Sequence, residues 1–314
     1  MSRSEVAKMS ESTALPGWTE ILVLAPLEWL ELVGEQICSA TCASVAYGPP
    51  SLGTPKARAG CDYVRAYVID SMDTAAWRAA LQARVAALAS LTGAPELAGL
   101  ELRFRRLPPE DYARSWEKVW RPFRVGRLAV LRPTDSRTPR PGEIDLRLEP
   151  GAVFGTGRHA TTRLCLGLLQ RSVRAGDRVL DAGTGTGLLA VAACKLGARS
   201  ALGFDIDPAS VPHARHLAAS NGCLERTTWR CGGFEVLTRE DRSFDGVIAN
   251  IYSDILQAHA QELGERLRPE GWFVFSGVPE AHALATRAAF ESAGLRVSEE
   301  LVRGRWHAFA GRAC

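Results

Sequence analysis

The sequence predicts a two-part α/β chain: a doubly wound α/β domain from about residue 143 onward, preceded by a small α+β domain. Three observations predict it. From Asp177 on, short apolar strands alternate with helical stretches. The strand that ends at Asp181 runs through a glycine turn (Gly183, Gly185, Gly187) straight into a helix. Upstream, strand, helix, two strands, helix and strand follow one another in the order of a ferredoxin-like unit. A length of 314 residues suits two domains, and 46% apolar residues suffice to bury their cores.

Behind a polar leader, 1–16, residues 18–24 read as a strand. Residues 27–40 carry Leu27, Leu30, Val33 and Ile37 at helical spacing. Residues 44–47 form a second strand and 48–60 a loop rich in Pro and Gly. Residues 63–69 alternate like a half-buried strand, Asp73 is the expected N-cap of a helix reaching to about 91, and 100–104 make the last strand. This domain, 17–106, holds no constellation of polar residues that suggests chemistry, so it reads as a substrate-recognition module. A helix over 109–120 and a strand near 127–131 follow. The segment 132–142, with Pro133, Pro139 and Pro141, is the linker candidate, which makes 107–142 a linker helix and strand and 143–314 the catalytic domain.

In that domain the pattern places strands at 178–181, 200–206, 227–231, 244–249 and 272–276. Helices are expected at 188–196, 208–221, 253–267 and 280–293. A final strand pair, 295–301 and 306–311, turns at Gly304. Seven strands ending in a hairpin point to a methyltransferase-type sheet rather than to six parallel strands.

Composition excludes several classes. A net charge of +3, from 38 basic and 35 acidic residues, argues against bulk electrostatic binding of nucleic acid. The N-terminus lacks the apolar core of a signal peptide. The most apolar stretch, 21–33, is too short for a membrane span and contains Glu28 and Glu31. Eight cysteines are scattered without a Cys-x-x-Cys pair. The expectation is a cytoplasmic protein with reduced thiols, no metal and no membrane or direct nucleic-acid partner.

The glycine turn lets the backbone approach a ligand, and a helix N-terminus behind it offers N–H groups. A dinucleotide fingerprint needs Gly-x-Gly-x-x-Gly, but Leu188 stands where the third glycine is due when counting from Gly183, and Ala190 when counting from Gly185. No Gly-Lys-Ser/Thr follows, which excludes a triphosphatase loop. Asp181 would repel a pyrophosphate and suits a ligand with an ammonium group, as S-adenosylmethionine has. The alternative is that Asp181 only caps the turn. Asp205 ends the second strand about twenty residues on, where an acid accepts from both ribose hydroxyls. Asp207, before Pro208, reads as a helix N-cap. Asn250, past the fourth strand, has an amide able to accept from an amine and orient its lone pair. Its surroundings lack the Asn-Pro-Pro-Tyr form of enzymes that methylate exocyclic or amide nitrogens. Ahead of the sheet lies a glycine-rich loop with Gly151, Gly155 and Gly157, suited to fold over a cofactor, with Thr161 or Thr162 starting the next helix. His159 there is either a packed loop histidine or a functional one.

Taken together, these residues closely resemble the ribosomal protein methyltransferase family called PrmA. The family's Phe-Gly-Thr-Gly-x-His-x-Thr-Thr loop stands at 154–162, its Asp-x-Gly-x-Gly-x-Gly turn at 181–187, its Asp-Ile-Asp-Pro element at 205–208 and its Ala-Asn-Ile-Tyr variant at 249–252. A Trp-rich segment (Trp116, Trp120, Pro122) also resembles the family's interdomain stretch, and Arg158 and Ala160 depart from its loop. The resemblance implies a class I S-adenosylmethionine-dependent methyltransferase fold, a Rossmann-like seven-stranded sheet, behind a ferredoxin-like domain that holds the substrate. It also implies cofactor contacts from Thr162, Gly183, Asp205 and Asn250, alongside Asp181, Gly185 and Gly187 of the turn. The expected activity is methylation of lysine ε-amines or the N-terminal α-amine of large-subunit ribosomal protein L-eleven, free or on the ribosome, with Asn250 as the catalytic candidate. The alternatives are methylation of another protein and cofactor binding without turnover.

Overall fold

The computed structural model describes residues 18–41, 45–47, 57–69, 72–108, 121–137, 139–149, 157 and 159–314. The leader, most of the 48–60 loop and the helix expected over 109–120 therefore lie outside the described residues. The chain forms two units, Met1–Trp120 and Arg121–Cys314.

In the first unit β1 (Trp18–Pro26) lies between β3 (Cys61–Ile69) and β4 (Arg103–Leu107), antiparallel to both, and β2 (Val45–Tyr47) borders β3. Every second residue of β1 turns to one face, so Ile21, Val23 and Ala25 meet α1 (Leu30–Thr41) and α2 (Ala75–Thr92) through Val33, Ile37, Leu81 and Val85. The ferredoxin-like order is present. Two local expectations are corrected. The last strand begins at Arg103, because Gln82 takes Leu100 O and Leu102 N at 2.7 and 2.9 Å and draws those leucines into the core before pairing starts. The cap of α2 is Thr74, whose Oγ1 accepts from Trp77 N at 3.2 Å; Asp73 is engaged by Arg78 and by Thr19 Oγ1 instead. Hydrogen bonding to Arg78 holds the Asp73 carboxyl below its usual range.

The second unit opens earlier than residue 143. β6 (Leu128–Leu131) is buried at all four positions, pairs antiparallel with β5 (Phe123–Val125) and parallel with β7 (Ile144–Arg147). Burial of that strand ties 121–142 to this unit rather than to a linker.

Among the described residues its main sheet has seven strands: β8 (Arg178–Ala182), β9 (Ser200–Asp205), β10 (Thr227–Cys231), β11 (Phe244–Asn250), β12 (Leu267–Pro279), β13 (Leu295–Arg303) and β14 (Trp306–Ala313). Their order is β10-β9-β8-β11-β12-β14-β13, parallel except for β14, which runs antiparallel between β12 and β13. The helices are α3 (Ala160–Ser172), α4 (Leu188–Leu196), α5 (Ser210–Ser220), α6 (Ser253–Ala258), α7 (Ala260–Arg266) and α8 (Glu280–Ser292). The helix expected over 253–267 is broken at His259, whose ring stacks on Phe234 with centroids 3.8 Å apart. It stops before Leu267 because that residue already pairs with Phe244 as β12 begins. Phe273, Phe275, Phe290 and Phe309 fill the core between this sheet and α8.

Strand order reverses between β8 and β11, since β9 lies outward of one and β12 outward of the other. In an open α/β sheet the crevice at such a switch point is where ligands bind. Among the described residues no helix is long and apolar enough to cross a membrane, and no group of His, Cys, Asp and Glu is arranged to hold a metal ion. Cys61, Cys165, Cys194, Cys223, Cys231 and Cys314 are free thiols.

Candidate cofactor and acceptor site

Asp181 ends in the core, 1% exposed. Its Oδ2 accepts from Thr184 Oγ1 at 2.7 Å and from Ala190 N at 3.2 Å, which ties both limbs of the glycine turn to the strand. Its Oδ1 is buried and has no hydrogen-bond partner. Burial pushes the carboxyl up to about 7, so a nearby cation would find an acid ready to ionise. Gly183 sits at φ +68°, and a Cβ there would lie 2.2 Å from Cγ2 of Ile251. Only glycine fits where the turns after β8 and β11 meet.

Four N–H groups of this turn are engaged inside the protein. Gly183 N and Thr184 N both donate to Phe204 O at 3.0 Å, Gly185 N to Asp205 Oδ2 at 2.7 Å and Gly187 N to Thr184 O at 2.8 Å. Those four donors are spent inside the protein and are not offered to a ligand. What stays bare is an acceptor.

Asp205 is half-buried at the end of β9. Besides Gly185 N it accepts from Asp207 N through Oδ1 at 2.9 Å, which presents its remaining lone pairs at the rim. Asp207 Oδ1 accepts from Ala209 N at 2.9 Å, but α5 begins only at Ser210 with Ala209 as its N-cap, so Asp207 holds the turn ahead of the helix rather than capping the helix as expected. Between the two acids Ile206 is 76% exposed. An apolar side chain displayed beside a strand-end acid offers a surface for a flat ring, and the sequence reading missed it. The signal was there: an isoleucine between two aspartates at a strand end.

Asn250 ends β11. Its Nδ2 lies 3.4 Å from Thr162 Oγ1, and its Oδ1 is buried with no partner. Asp181 pairs in register with Ile248 and Asn250 with Ser276, so Asp181, Asn250 and Ser276 share one face of the sheet. That face is the one on which Thr162 of α3 meets Asn250. Two unpartnered acceptor oxygens, on neighbouring strands, therefore lie under the start of one helix. Buried acceptors without donors are costly, about 1–3 kcal/mol each, and a donor-bearing ligand relieves that cost.

α3 begins at Ala160, one residue before the expected Thr161, because His159 is its N-cap. The imidazole Nδ1 accepts from Thr161 N at 3.4 Å and lies 2.8 Å from Thr161 Oγ1. Its ring meets Trp306 edge-on, with centroids 4.9 Å apart. Burial pushes His159 down to about 4, which keeps it neutral and able to accept near pH 7. The geometry makes His159 a packed cap of the loop's last turn. Residues 150–156 and 158 of that loop lie outside the described residues; Gly157 packs where a Cβ would be 2.7 Å from the Phe123 ring and 3.0 Å from Leu188.

A second missed residue is Gly277. It lies at φ +91° in a bulge of β12, and a Cβ there would stand 2.0 Å from Ile251 O. Its absence of a side chain lets the backbone after β11 lie against β12. An isolated glycine inside an apolar strand was the available signal.

A family profile described as "Ribosomal protein L11 methyltransferase (PrmA)" matches residues 17–313. The chain is 35% identical to a ribosomal protein L11 methyltransferase of Pelotomaculum thermopropionicum over 311 residues, covering 94% of this chain and 98% of that one. It is 33% identical to the enzyme of the same name from Streptococcus pneumoniae serotype 4 over 246 residues, or 78% of this chain and 76% of that one. A crystal structure of a ribosomal protein L11 methylase from Lactobacillus delbrueckii subsp. bulgaricus superposes with a TM-score of 0.57 at 30% identity, covering 62% of this chain and all of that one. With a match that runs almost from end to end and the glycine turn, Asp205 and Asn250 gathered at one sheet edge, the chain belongs to the ribosomal protein L11 methyltransferase (PrmA) family.

Proposed function

We propose that the protein is an S-adenosylmethionine-dependent N-methyltransferase that modifies amines, lysine ε-amines or the N-terminal α-amine, of ribosomal protein L11. The observation that carries this reading is the pair of unpartnered acceptor oxygens, Asp181 Oδ1 and Asn250 Oδ1, at an edge where four turn N–H groups are already engaged inside the protein. Such a site fits a cationic, phosphate-free nucleoside and fits a pyrophosphate poorly. When bound, that cofactor supplies a methyl group already activated on a sulfonium. Asp181 favours the cationic end, Asp205 accepts from the ribose hydroxyls, and Ile206 gives the base an apolar surface. Thr162 and the glycines of the turn (Gly183, Gly185, Gly187) complete the cradle.

The chain's part in the reaction is alignment and exclusion of water. An acceptor lysine of pKa about 10.4 must shed a proton, which at pH 7 costs about 4.6 kcal/mol. A dry site beside a positive charge lowers that cost by favouring the neutral amine. Asn250 Oδ1 then accepts one N–H of the amine and turns its lone pair toward the methyl group. No dedicated base is required. The N-terminal sheet domain is the substrate-recognition module, and L11 is met either free or on the ribosome, in the cytoplasm, without direct contact to nucleic acid.

Transfer of labelled methyl groups to purified L11, followed by mass spectrometry of the product, tests the reading. Label on L11 supports it. Label that appears only on other proteins of a whole lysate moves the target elsewhere, and cofactor binding without any label leaves a binding protein.

A further inference from the structure

One polar pair beside the acceptor turn has no part in the chemistry described above. Ser253 opens α6, is 5% exposed, and its Oγ lies 2.6 Å from Nδ1 of His282 on the first turn of α8. The His282 ring is otherwise exposed. One turn further along both helices, Gln257 Nε2 donates to Thr286 Oγ1 at 2.8 Å. Residues 253 and 257, like 282 and 286, are four apart, so the two bridges join facing stripes of α6 and α8. Leu256 and Ala283 are buried in the core that these helices cover.

The position of the upper bridge gives it consequence. α6 has only six residues, far too few to hold its own direction in isolation. Only Ile251 and Tyr252 separate Ser253 from Asn250. On one side the backbone of Ile251 lies against Gly277, where not even a Cβ fits. On the other side Tyr252 O accepts from Leu256 N at 3.0 Å, and Ser253, which opens α6, is held by His282. Asn250 thus has its strand behind it and two clamps ahead of it, one of backbone and one of side chain.

We propose that His282, acting through Ser253 Oγ, is a positioning residue for the acceptor turn: it fixes where the 250–252 segment leaves the sheet, and so where Asn250 Oδ1 meets the incoming amine. The inference rests on the methyltransferase reading above. It predicts an effect on turnover rather than on cofactor affinity, since the glycine turn after β8 is held by its own residues and the end of β9, not by α6 or α8. A misplacement of an ångström or less at the reacting geometry is enough to lower a rate by about 10-fold or more.

The test compares the wild-type protein with His282→Ala, Ser253→Ala, the double variant and His282→Asn, whose amide reaches about as far as Nδ1. Methyl transfer to L11 gives kcat and KM, calorimetry gives the Kd of S-adenosylmethionine, and thermal unfolding reports on integrity. The expected result is a fall in kcat of about 10-fold for each single alanine variant, with KM and cofactor Kd within about twofold of wild type. The double variant matches the single ones instead of multiplying them, and His282→Asn recovers kcat to within about threefold. Undiminished kcat in both single variants, a multiplicative double variant, or a loss shared equally by cofactor Kd overturns the proposal. A wild-type protein that transfers no methyl group to any protein overturns the function and this inference with it, whereas active wild type with equally active variants overturns the inference alone.

Discussion

The two turns that make the site are built in opposite ways. The turn after β8 is held by its own residues and by the strand beside it: Thr184 and Ala190 to Asp181, and Gly187 to Thr184, with the end of β9 supplying Phe204 O and Asp205. The turn after β11 is held from afar. Thr162 meets Asn250 across 88 residues, Gly277 admits the Ile251 backbone, and His282 holds Ser253 across 29. We expect the turn after β8, held from itself and from the adjoining strand end, to tolerate change elsewhere in the fold better than the turn after β11, which is held from α3, β12 and α8. We therefore expect binding of the donor and placement of the acceptor to be separable by mutation.

The largest expected effect comes from Gly277→Ala. With a Cβ 2.0 Å from Ile251 O and φ at +91°, the bulge has to move. We expect a loss of about 3 kcal/mol or more in unfolding free energy, together with the loss of most methyl transfer. A variant with wild-type stability would show that β12 does not press on the acceptor turn.

Next is Asp205→Ala, which removes the acceptor of Gly185 N and the ribose-type acid in one change. Calorimetry should show the Kd of S-adenosylmethionine rising about 30-fold, a cost of about 2 kcal/mol for lost charge-assisted hydrogen bonds, while kcat at saturating cofactor stays near wild type. An equal fall in kcat would erase the distinction between the two turns.

A smaller effect concerns Asp181 and pH. Burial raises its pKa from 3.8 to about 7, so the folded chain keeps a proton that the unfolded chain gives up. In that window the native state binds more protons, and stability falls as pH rises from about 4 to about 7. In Asp181→Asn this contribution to the slope disappears, which urea unfolding across the window will reveal. A cation bound nearby favours the carboxylate, so cofactor binding below pH 7 should also release a proton, seen as a dependence of binding enthalpy on the buffer. Identical slopes in wild type and variant contradict the role of burial.

The smallest effect is at His159. Its neutral ring caps α3, a duty that Asn also performs. His159→Asn should unfold within about 2 °C of wild type, while His159→Ala should lose about 1 kcal/mol. A large loss of transfer in His159→Asn with the melting temperature kept would mean that the imidazole does more than cap.

The same contrast explains what was legible in the sequence. The strand running into Gly183, Gly185 and Gly187, the acid at Asp205 and the order of strands are local patterns, so periodicity and spacing reveal them. Helix Leu188–Leu196 and strand Thr227–Cys231 fall where the pattern puts them. Expectations failed where distant groups intervened. Gln82 delays β4 by holding Leu100 and Leu102; the break at His259 coincides with its stacking on Phe234; burial of β6 moves 121–142 into the second unit. The spent N–H groups of the glycine turn could not be read either, because their acceptors lie on the next strand. Asn250 was legible as a residue, but not the unpartnered state of its oxygen.

The most direct measurement is made on Asn250→Ala, with cofactor affinity and labelled methyl transfer to L11 followed on one preparation. The account predicts that the Kd of S-adenosylmethionine changes by no more than about fivefold while transfer at saturating cofactor falls by about 100-fold, the cost of losing one oriented acceptor in a dry site. Transfer at the wild-type rate with the cofactor still bound would contradict it.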